Sequence, residues 1–164
     1  MRAFLLLTAM IPFLAGCTTI ISHQSLTLVD RGISFKELRQ DPDRYVGKHI
    51  LLGGGIAVVR NTSAGGELEV VQFKTDESGE ITDTAASGGR FIASSSDFLD
   101  PALYRTGLLV TLVGKVQGKK TTRLEEVDYT YPVLAIRELH LWQPEEMSAP
   151  PSFHFGIGVG TIIH

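Results

Sequence analysis

Hydrophobic and polar positions along the chain change from a helical pattern to a strand pattern after the first quarter. The helical pattern is ISFKEL, where Ser34 and Glu37 have the spacing of a capping box. Asp41-Pro42 then begins a second short helical turn, which Gly47 ends. From Lys48 onward, apolar and β-branched residues alternate with polar ones or form short continuous runs, which predicts strands. The predicted strands are HILLGGGIAVVR, GELEVVQFK, RFIAS, LLVTLVGKVQG and YTYPVLAIRELHLW.

Glycines and polar stretches interrupt this pattern. The glycines at 53–55 predict a sharp bend or bulge in the first strand, and Gly114 predicts a bulge in the fourth. The polar stretch 75–89 is expected to be a mobile excursion with a short ribbon around residues 80–82. The charged stretch 119–128 is expected to connect the last two strands.

The order of the elements predicts the fold class. Asp100-Pro101 is expected to begin a short helix, PALYRT, that ends at Gly107. Five strands with one short helix between the third and fourth match the order of an OB-type barrel. We therefore expect a mainly β fold over residues 33–142, a small five-stranded OB-like barrel with short helices, with a small open sandwich as the alternative. Pro132 is expected at the start or outer edge of the last strand, because it cannot donate a ladder hydrogen bond.

The N-terminal segment resembles a bacterial lipoprotein signal. An apolar run from Ala3 to Leu14 follows Arg2 and is too short to cross a membrane, which takes about 20 residues. Leu-Ala-Gly before Cys17 resembles the lipobox of bacterial lipoproteins, which implies cleavage before Cys17 and attachment of fatty acyl chains such as palmitate. We expect residues 1–16 to be a signal peptide and 17–32 a lipidated tether. An ordinary secretory signal with an incidental cysteine is the alternative.

The C-terminal residues 143–164 form a Pro-containing linker and a Gly-rich apolar tail. At strand spacing, four apolar side chains of the tail share one face: Phe153, Phe155, Ile157 and Val159. The tail is either a terminal strand on its own barrel, a partly ordered end, or a strip that contacts an envelope partner or the membrane.

Charge and cysteine content narrow the function classes. The chain has 15 Lys and Arg residues against 18 Asp and Glu residues. Removing the signal peptide removes one positive charge, Arg2, and leaves 14 against 18, a formal net charge of −4. This sign argues against nucleic acid as a partner. Because Cys17 is the only cysteine, its acylation leaves no thiol for a disulfide.

Several segments together resemble the Slp family of starvation-inducible outer-membrane lipoproteins. They are DPDRYVGKHILLGGGI, LEVVQF, GRF, FLDPALYRTGLLVTLVGKVQG and YTYPVLAIRELHLW. The resemblance implies an outer-membrane protein anchored by lipid, linked to starvation or stationary-phase physiology, and it brings no catalytic residues. Thr18 fits this implication, since an Asp directly after the lipidated cysteine would signal inner-membrane retention. The domain is expected to face the periplasm.

No motif predicts catalysis, a cofactor or a metal. The spacing of the histidines matches no common ligand pattern: His23, His49, His140, His154 and His164. Ser94-Ser95-Ser96-Asp97 lacks a nucleophile elbow, and the triple glycine lacks the Gly-Lys-Ser/Thr of a phosphate loop. The basic cluster comprises Lys115, Lys119, Lys120 and Arg123.

The sequence thus predicts a non-enzymatic structural or binding module of the envelope. The alternative is a periplasmic barrel that binds an oligosaccharide or a peptidoglycan-like polymer, with Tyr129, Tyr131 or Trp142 as a stacking surface. An apolar cleft lined by exposed rings would favour this alternative, and buried rings would not.

Overall fold

The computed structural model describes residues 20–143; the signal peptide, Cys17 and the C-terminal tail lie outside this range. None of the helices in this range is long and apolar enough to traverse a bilayer. The helices are α1 (His23–Leu26), α2 (Phe35–Gln40) and a 3₁₀ turn (Pro42–Tyr45). The strands are β1 (His49–Thr62), β2 (Gly65–Thr75), β3 (Ile81–Asp83), β4 (Gly89–Ser95), β5 (Leu109–Leu124) and β6 (Val127–Leu141).

Five strands close into a barrel. The order around it is β1-β5-β6-β4-β2, and β2 pairs with β1 again to complete the circle. Closure depends on a short parallel contact between β4 and β6, from Ile92–Val133 to Ser94–Ala135. The other pairings are antiparallel. The predicted mainly β, OB-like barrel is confirmed.

Inward side chains from the five barrel strands and α2 fill the interior. They alternate with outward residues, as the pleat of a strand requires. The loop that follows β4 closes one end of the barrel, because Leu99, Tyr104 and Leu108 pack against this core. Buried core residues include Leu38, Ile50, Leu52, Ile56, Leu68, Val70, Phe91, Ala93, Val110, Leu112, Val116 and Leu134.

The glycines of β1 allow it to run closely between two neighbours. A Cβ at Gly54 would lie 2.1 Å from the carbonyl oxygen of Val71 on β2. The register shift in β1 falls between Ile56 and Val58, just after the glycines, and the shift predicted at Gly114 is present between Val113 and Gly114. Close strand approach explains the glycines, and the bulge follows them.

The predicted start of α2 is confirmed by its capping box. The Ser34 hydroxyl accepts from the Glu37 backbone N–H at 3.3 Å, and the Glu37 carboxylate accepts from the Ser34 N–H at 3.0 Å. These two bonds satisfy backbone donors that the first helical turn leaves free. The short ribbon expected near residues 80–82 is also present, as β3 paired with β2.

Two local predictions were wrong. The charged stretch 119–128 is the outer part of a long β5–β6 hairpin, because its residues pair across the strands, and the turn is only Glu125–Glu126. The expected helix 101–106 is a turn, in which the Asp100 carbonyl accepts from the N–H groups of Leu103 and Tyr104. Pro132 is not at the start of β6, but it lies where β6 pairs only with β5, just before the pairing with β4 begins at Val133, so it is on an open edge as predicted.

Several residues of 20–32, the described part of the segment expected to be a tether, contact the barrel. Ile21 is fully buried, and the backbone N–H of Ser22 donates to the Glu138 carboxylate at 2.8 Å. Val29 then forms a parallel bridge with His49. Ordered packing therefore begins four residues after Cys17.

We predict that Gly54→Ala lowers the free energy of unfolding by at least about 2 kcal/mol, because the new methyl group meets backbone that cannot move aside. Gly55→Ala is the matched control, since its Cβ would lie 3.2 Å from the edge of the Phe73 ring. Urea unfolding of both variants measures the difference. Equal losses at the two positions would contradict the explanation by strand approach.

Candidate functional site

The outer surface of β2 carries a buried carboxylate. Leu68 and Val70 point into the core, so Glu69 between them points outward. Its side chain is nevertheless only 4% exposed. Arg60 of β1, Arg90 of β4 and Tyr131 of β6 cover it, and these four residues are called the Glu69 cluster below.

Both oxygens of Glu69 are bound. Oε1 accepts from Arg90 Nη1 at 2.6 Å and from the Tyr131 hydroxyl at 3.2 Å. Oε2 accepts from Nη1 and Nη2 of Arg60, each at 3.2 Å. The Tyr129 ring lies 4.6 Å from the Tyr131 ring, and its hydroxyl accepts from the Arg90 backbone N–H at 3.0 Å.

These contacts fix the protonation of the cluster. Burial alone would raise the pKa of Glu69, but the hydrogen bonds from Arg90, Arg60 and Tyr131 outweigh it and hold that pKa below its ordinary value. Burial raises the pKa of Tyr131, and the adjacent Glu69 charge raises it further. Glu69 is thus an ionised carboxylate and Tyr131 a neutral phenol at neutral pH.

The Glu69 cluster stabilises the fold and is not arranged for acid–base chemistry. A carboxylate whose oxygens are occupied by two guanidinium groups and a phenol has no proton to donate and no lone pair directed at solvent. General acid–base work needs groups whose pKa values are moved toward the working pH, and both shifts here move away from it. The cluster instead ties together β1, β2, β4 and β6.

A polar groove lies on the same side of the barrel. Its volume is about 440 Å³. The β1–β2 turn, the end of β4, and parts of β5 and β6 form its walls. Lining residues include Thr62, Glu67, Ser94, Ser95, Ser96, Gln117 and Ala135. The Ser94 hydroxyl contacts Gln117 Oε1 at 3.1 Å, and Glu67 forms an ion pair with Lys120 at 2.8 Å.

The three aromatic residues predicted to form a stacking surface do not lie together. Tyr129 and Tyr131 are in contact, but Tyr131 is only 1% exposed because its hydroxyl is bound in the Glu69 cluster. Trp142 follows the other end of β6, where its Nε1 donates to Thr111 Oγ1 at 3.0 Å. Buried Tyr131 offers no ring face to a ligand, whereas stacking on Tyr129 or on Trp142, the other two alternatives, stays a prediction.

Two of the four residues of the basic cluster form ion pairs with acidic groups. Lys119 forms an ion pair with Asp43 at 2.7 Å, and Lys120 pairs with Glu67. The Arg123 guanidinium donates to backbone carbonyls of the hairpin turn. The two ion pairs offset the positive charge of Lys119 and Lys120 locally.

The remaining candidates from the sequence are the histidines, the serine motif, Cys17 and the tail. Between residues 20 and 143, no three His, Cys, Asp or Glu side chains are grouped so that they could hold a metal ion. Ser95 and Asp97 belong to a turn, in which the Ser95 hydroxyl accepts from the Asp97 N–H at 3.0 Å. Cys17 and the tail residues Phe153, Phe155, Ile157 and Val159 lie outside the described range, so their roles stay predictions.

Sequence reasoning did not find the Glu69 cluster. Alternation in GELEVVQFK places Glu67 and Glu69 on one outward face, where both would ordinarily be solvated. Glu69 is buried because residues distant in sequence converge on it, and Glu67 is only partly covered. No local pattern distinguishes the two carboxylates.

Comparison with known proteins identifies relatives over most of the chain. The sequence model of the outer membrane lipoprotein Slp family matches residues 14–157. The uncharacterized lipoprotein YeaY of Escherichia coli K12 is 27% identical over 139 residues, covering 84% of this chain and 72% of YeaY. The outer membrane protein Slp of the same strain is 28% identical over 135 residues, covering 82% of this chain and 71% of that protein.

The solved structures that this chain matches are more distant. The mitochondrial single-stranded DNA binding protein Rim1 of S. cerevisiae is 11% identical, with 57% of this chain and 92% of that chain covered at a TM-score of 0.36. A small single-stranded DNA-binding protein of Streptomyces coelicolor is 16% identical, with 57% and 92% covered at a TM-score of 0.34. The fold assignment above depends on the strand pairing of this chain.

We predict that Glu69→Ala lowers the free energy of unfolding by about 2–4 kcal/mol, because it leaves two guanidinium groups and a phenol without their shared acceptor. Glu67→Ala is the matched control on the same face of β2. Its ion pair with Lys120 is partly exposed, so its loss should cost only about 0–1 kcal/mol.

The pH dependence gives a second readout of the same variant. Because the pKa of Glu69 is lowered on folding, its contribution is present above the ordinary carboxyl range, about pH 4.5, and is lost as the pH falls through the folded-state value. The stability difference between the native protein and Glu69→Ala should shrink as urea unfolding is repeated at lower pH. A difference that is constant or grows on acidification would contradict the ionised cluster.

Proposed function

The chain belongs to the outer membrane lipoprotein Slp family, and from this membership we propose a non-enzymatic envelope module acylated on Cys17. It is an outer-membrane lipoprotein. In this proposal the fatty chains on Cys17 hold the protein in the membrane, and the barrel faces the periplasm. Its role there is structural or binding, without a chemical step.

Two features support acylation at Cys17. The residue is the only cysteine of the chain, and it directly follows Leu-Ala-Gly. The family match begins at residue 14 and therefore includes this tetrapeptide. Anchoring through several acyl chains is stable, since each buried methylene contributes about 0.8 kcal/mol.

The observation that carries the proposal is that packing against the barrel begins at Ile21, four residues after Cys17. Ile21 is fully buried, and Ser22 is bound to Glu138, so only residues 18–20 separate Cys17 from the packed domain. Four Cα–Cα steps from Cys17 to Ile21 span at most about 14 Å. A protein held this way keeps its barrel at the membrane surface.

The non-enzymatic part of the proposal is supported by the state of the buried ionisable groups. Glu69 and Tyr131 are the buried groups that a catalytic role would involve first, but Glu69 accepts hydrogen bonds from Arg60, Arg90 and Tyr131, and the Tyr131 hydroxyl donates to Glu69. The link to starvation or stationary phase is supported by the family resemblance, and protein levels followed through growth into stationary phase would test it.

A second candidate function is recognition of an oligosaccharide or a peptidoglycan-like polymer. OB-type barrels bind such ligands on the face of their second and third strands and on the loop between the first two. The polar groove lies in that place, and its hydroxyl and carboxamide groups suit a polyhydroxylated ligand. This candidate depends on the groove, and the three predicted rings do not contribute to it.

We predict that Cys17→Ser abolishes acylation and moves the protein from the membrane fraction to the soluble periplasmic extract, because a hydroxyl cannot form the thioether. Intact mass and fractionation measure the two effects. Thr19→Ser is the matched control and should keep both the added mass and the membrane location. A Cys17→Ser protein that still sediments with membranes would contradict anchoring at this residue.

For the second candidate, we predict that soluble peptidoglycan fragments bind the full-length Cys17→Ser protein and that Ser96→Tyr removes most of this binding by filling the groove. Ser63→Tyr is the matched control, since Ser63 lies in the adjacent β1–β2 turn but does not line the groove. Calorimetric titration measures both. Equal binding by the two variants would exclude the groove as the site.

A further inference from the structure

One end of the barrel is closed by the loop between β4 and β5, residues 96–108, which is called the capped end below. The loop crosses from one side of the barrel to the other. Near its start, the Asp97 carbonyl accepts from Gly66, and Asn61 holds both backbone groups of Leu99 at 2.8 and 2.9 Å. At its close, the Gly107 N–H donates to the Ile56 carbonyl at 2.8 Å.

The N-terminal segment approaches the barrel near this end. Ile21 lies against Gly79, which in turn accepts a hydrogen bond from Thr111. Thr111 is two residues from Leu109, where β5 leaves the capped end. The segment then runs away from the capped end, because Val29 pairs with His49, and His49 is opposite Lys115 further along β5.

The chain also leaves the barrel near the capped end. The Trp142 backbone N–H donates to the Leu109 carbonyl at 2.9 Å, and its indole N–H donates to Thr111. Ile21, which contacts Gly79, and Trp142 therefore both lie near Thr111 of β5. Both connections start at the same side of the domain.

Large apolar side chains are exposed on the outer surface of the capped end. Phe98 is 70% exposed and Leu103 is 61% exposed, although the inner residues of the same loop are packed in the core. These two side chains are not needed to hold the loop in place, because Asn61 and the core neighbours already do so. Exposed apolar groups of this kind mark contact with a partner or a membrane.

Charge and length indicate which partner covers these side chains. The loop carries Asp97, Asp100 and Arg105, so it has no excess positive charge to attract anionic headgroups. Contact with a bilayer would therefore be apolar. The bilayer is within reach, because Ile21 is at most about 14 Å from Cys17 and about two strand residues, or roughly 7 Å, from the level where β5 begins.

We propose that the capped end of the barrel rests on the bilayer that holds the acyl chains, with Phe98 and Leu103 entering its interfacial region. This proposal depends on acylation of Cys17, as proposed above. It fixes the orientation of the domain: the turn of the β5–β6 hairpin lies about 13 residues along β5 from Thr111, roughly 40 Å away, and points from the membrane into the periplasm.

The test measures the depth of single nitroxide labels in the full-length acylated protein, reconstituted into vesicles of phosphatidylethanolamine and phosphatidylglycerol. Because acylation uses the only native cysteine, Phe98→Cys or Leu103→Cys introduces a single free thiol for the label. Val127→Cys at the hairpin turn and Val46→Cys are matched controls, being exposed valines away from the capped end. Electron paramagnetic resonance gives the ratio of collisions with oxygen, which concentrates in lipid, to collisions with a water-soluble nickel chelate.

We expect this ratio to be several-fold higher at positions 98 and 103 than at 127 and 46. Equal ratios at the four positions would overturn the proposal, and labels at 98 and 103 shielded from both reagents would overturn it in favour of a protein contact. Intact mass of each sample shows whether the acyl chains are present, so failure of the proposed anchor can be distinguished from failure of the proposed orientation. A preparation without acyl chains contradicts the proposed anchor and this orientation together, whereas an acylated protein with water-exposed labels contradicts the orientation alone.

Discussion

Closure of the barrel depends on one short contact between strands that are far apart in sequence. Three residue pairs join β4 to β6 in parallel, and without them the sheet would be open between the first strands and the final hairpin. The Glu69 cluster reinforces this junction, because Tyr131 comes from β6 and Arg90 from β4. A buried carboxylate that lost one of these partners would be costly, so the polar contacts favour the closed arrangement over alternatives in which the strands separate.

Much of the fold could be predicted from the sequence because the signals for its elements are local. The capping box at Ser34 and the bulge at Gly114 follow from residues within a few positions of each other. The outer part of the β5–β6 hairpin was missed for the opposite reason. Residues 119–128 read as a polar connection, but their partners are on the neighbouring strand, where Thr121 and Thr130 are in contact at 3.0 Å.

The candidate site could be predicted only in part. The sequence predicted a small barrel with a structural or binding role and contained no catalytic motif. Neither distinguished Glu69 from Glu67, since burial here depends on Arg60, Arg90 and Tyr131 together. The aromatic residues illustrate the same limit: Tyr131 and Trp142 lie in one strand pattern of YTYPVLAIRELHLW, yet one ring is in the Glu69 cluster and the other is beside Thr111.

The packing of Ile21 and the bond from Ser22 to Glu138 leave a connection of only a few residues to the proposed anchor. A connection this short keeps the bilayer at a high effective concentration, in the millimolar range or above, around the nearest surface of the domain. Two side chains with little affinity of their own would then be enough to populate one docked orientation. In the proposed arrangement, a longer linker would lower the effective concentration of the bilayer at this surface, so the length of the segment would determine how often the barrel contacts the lipid.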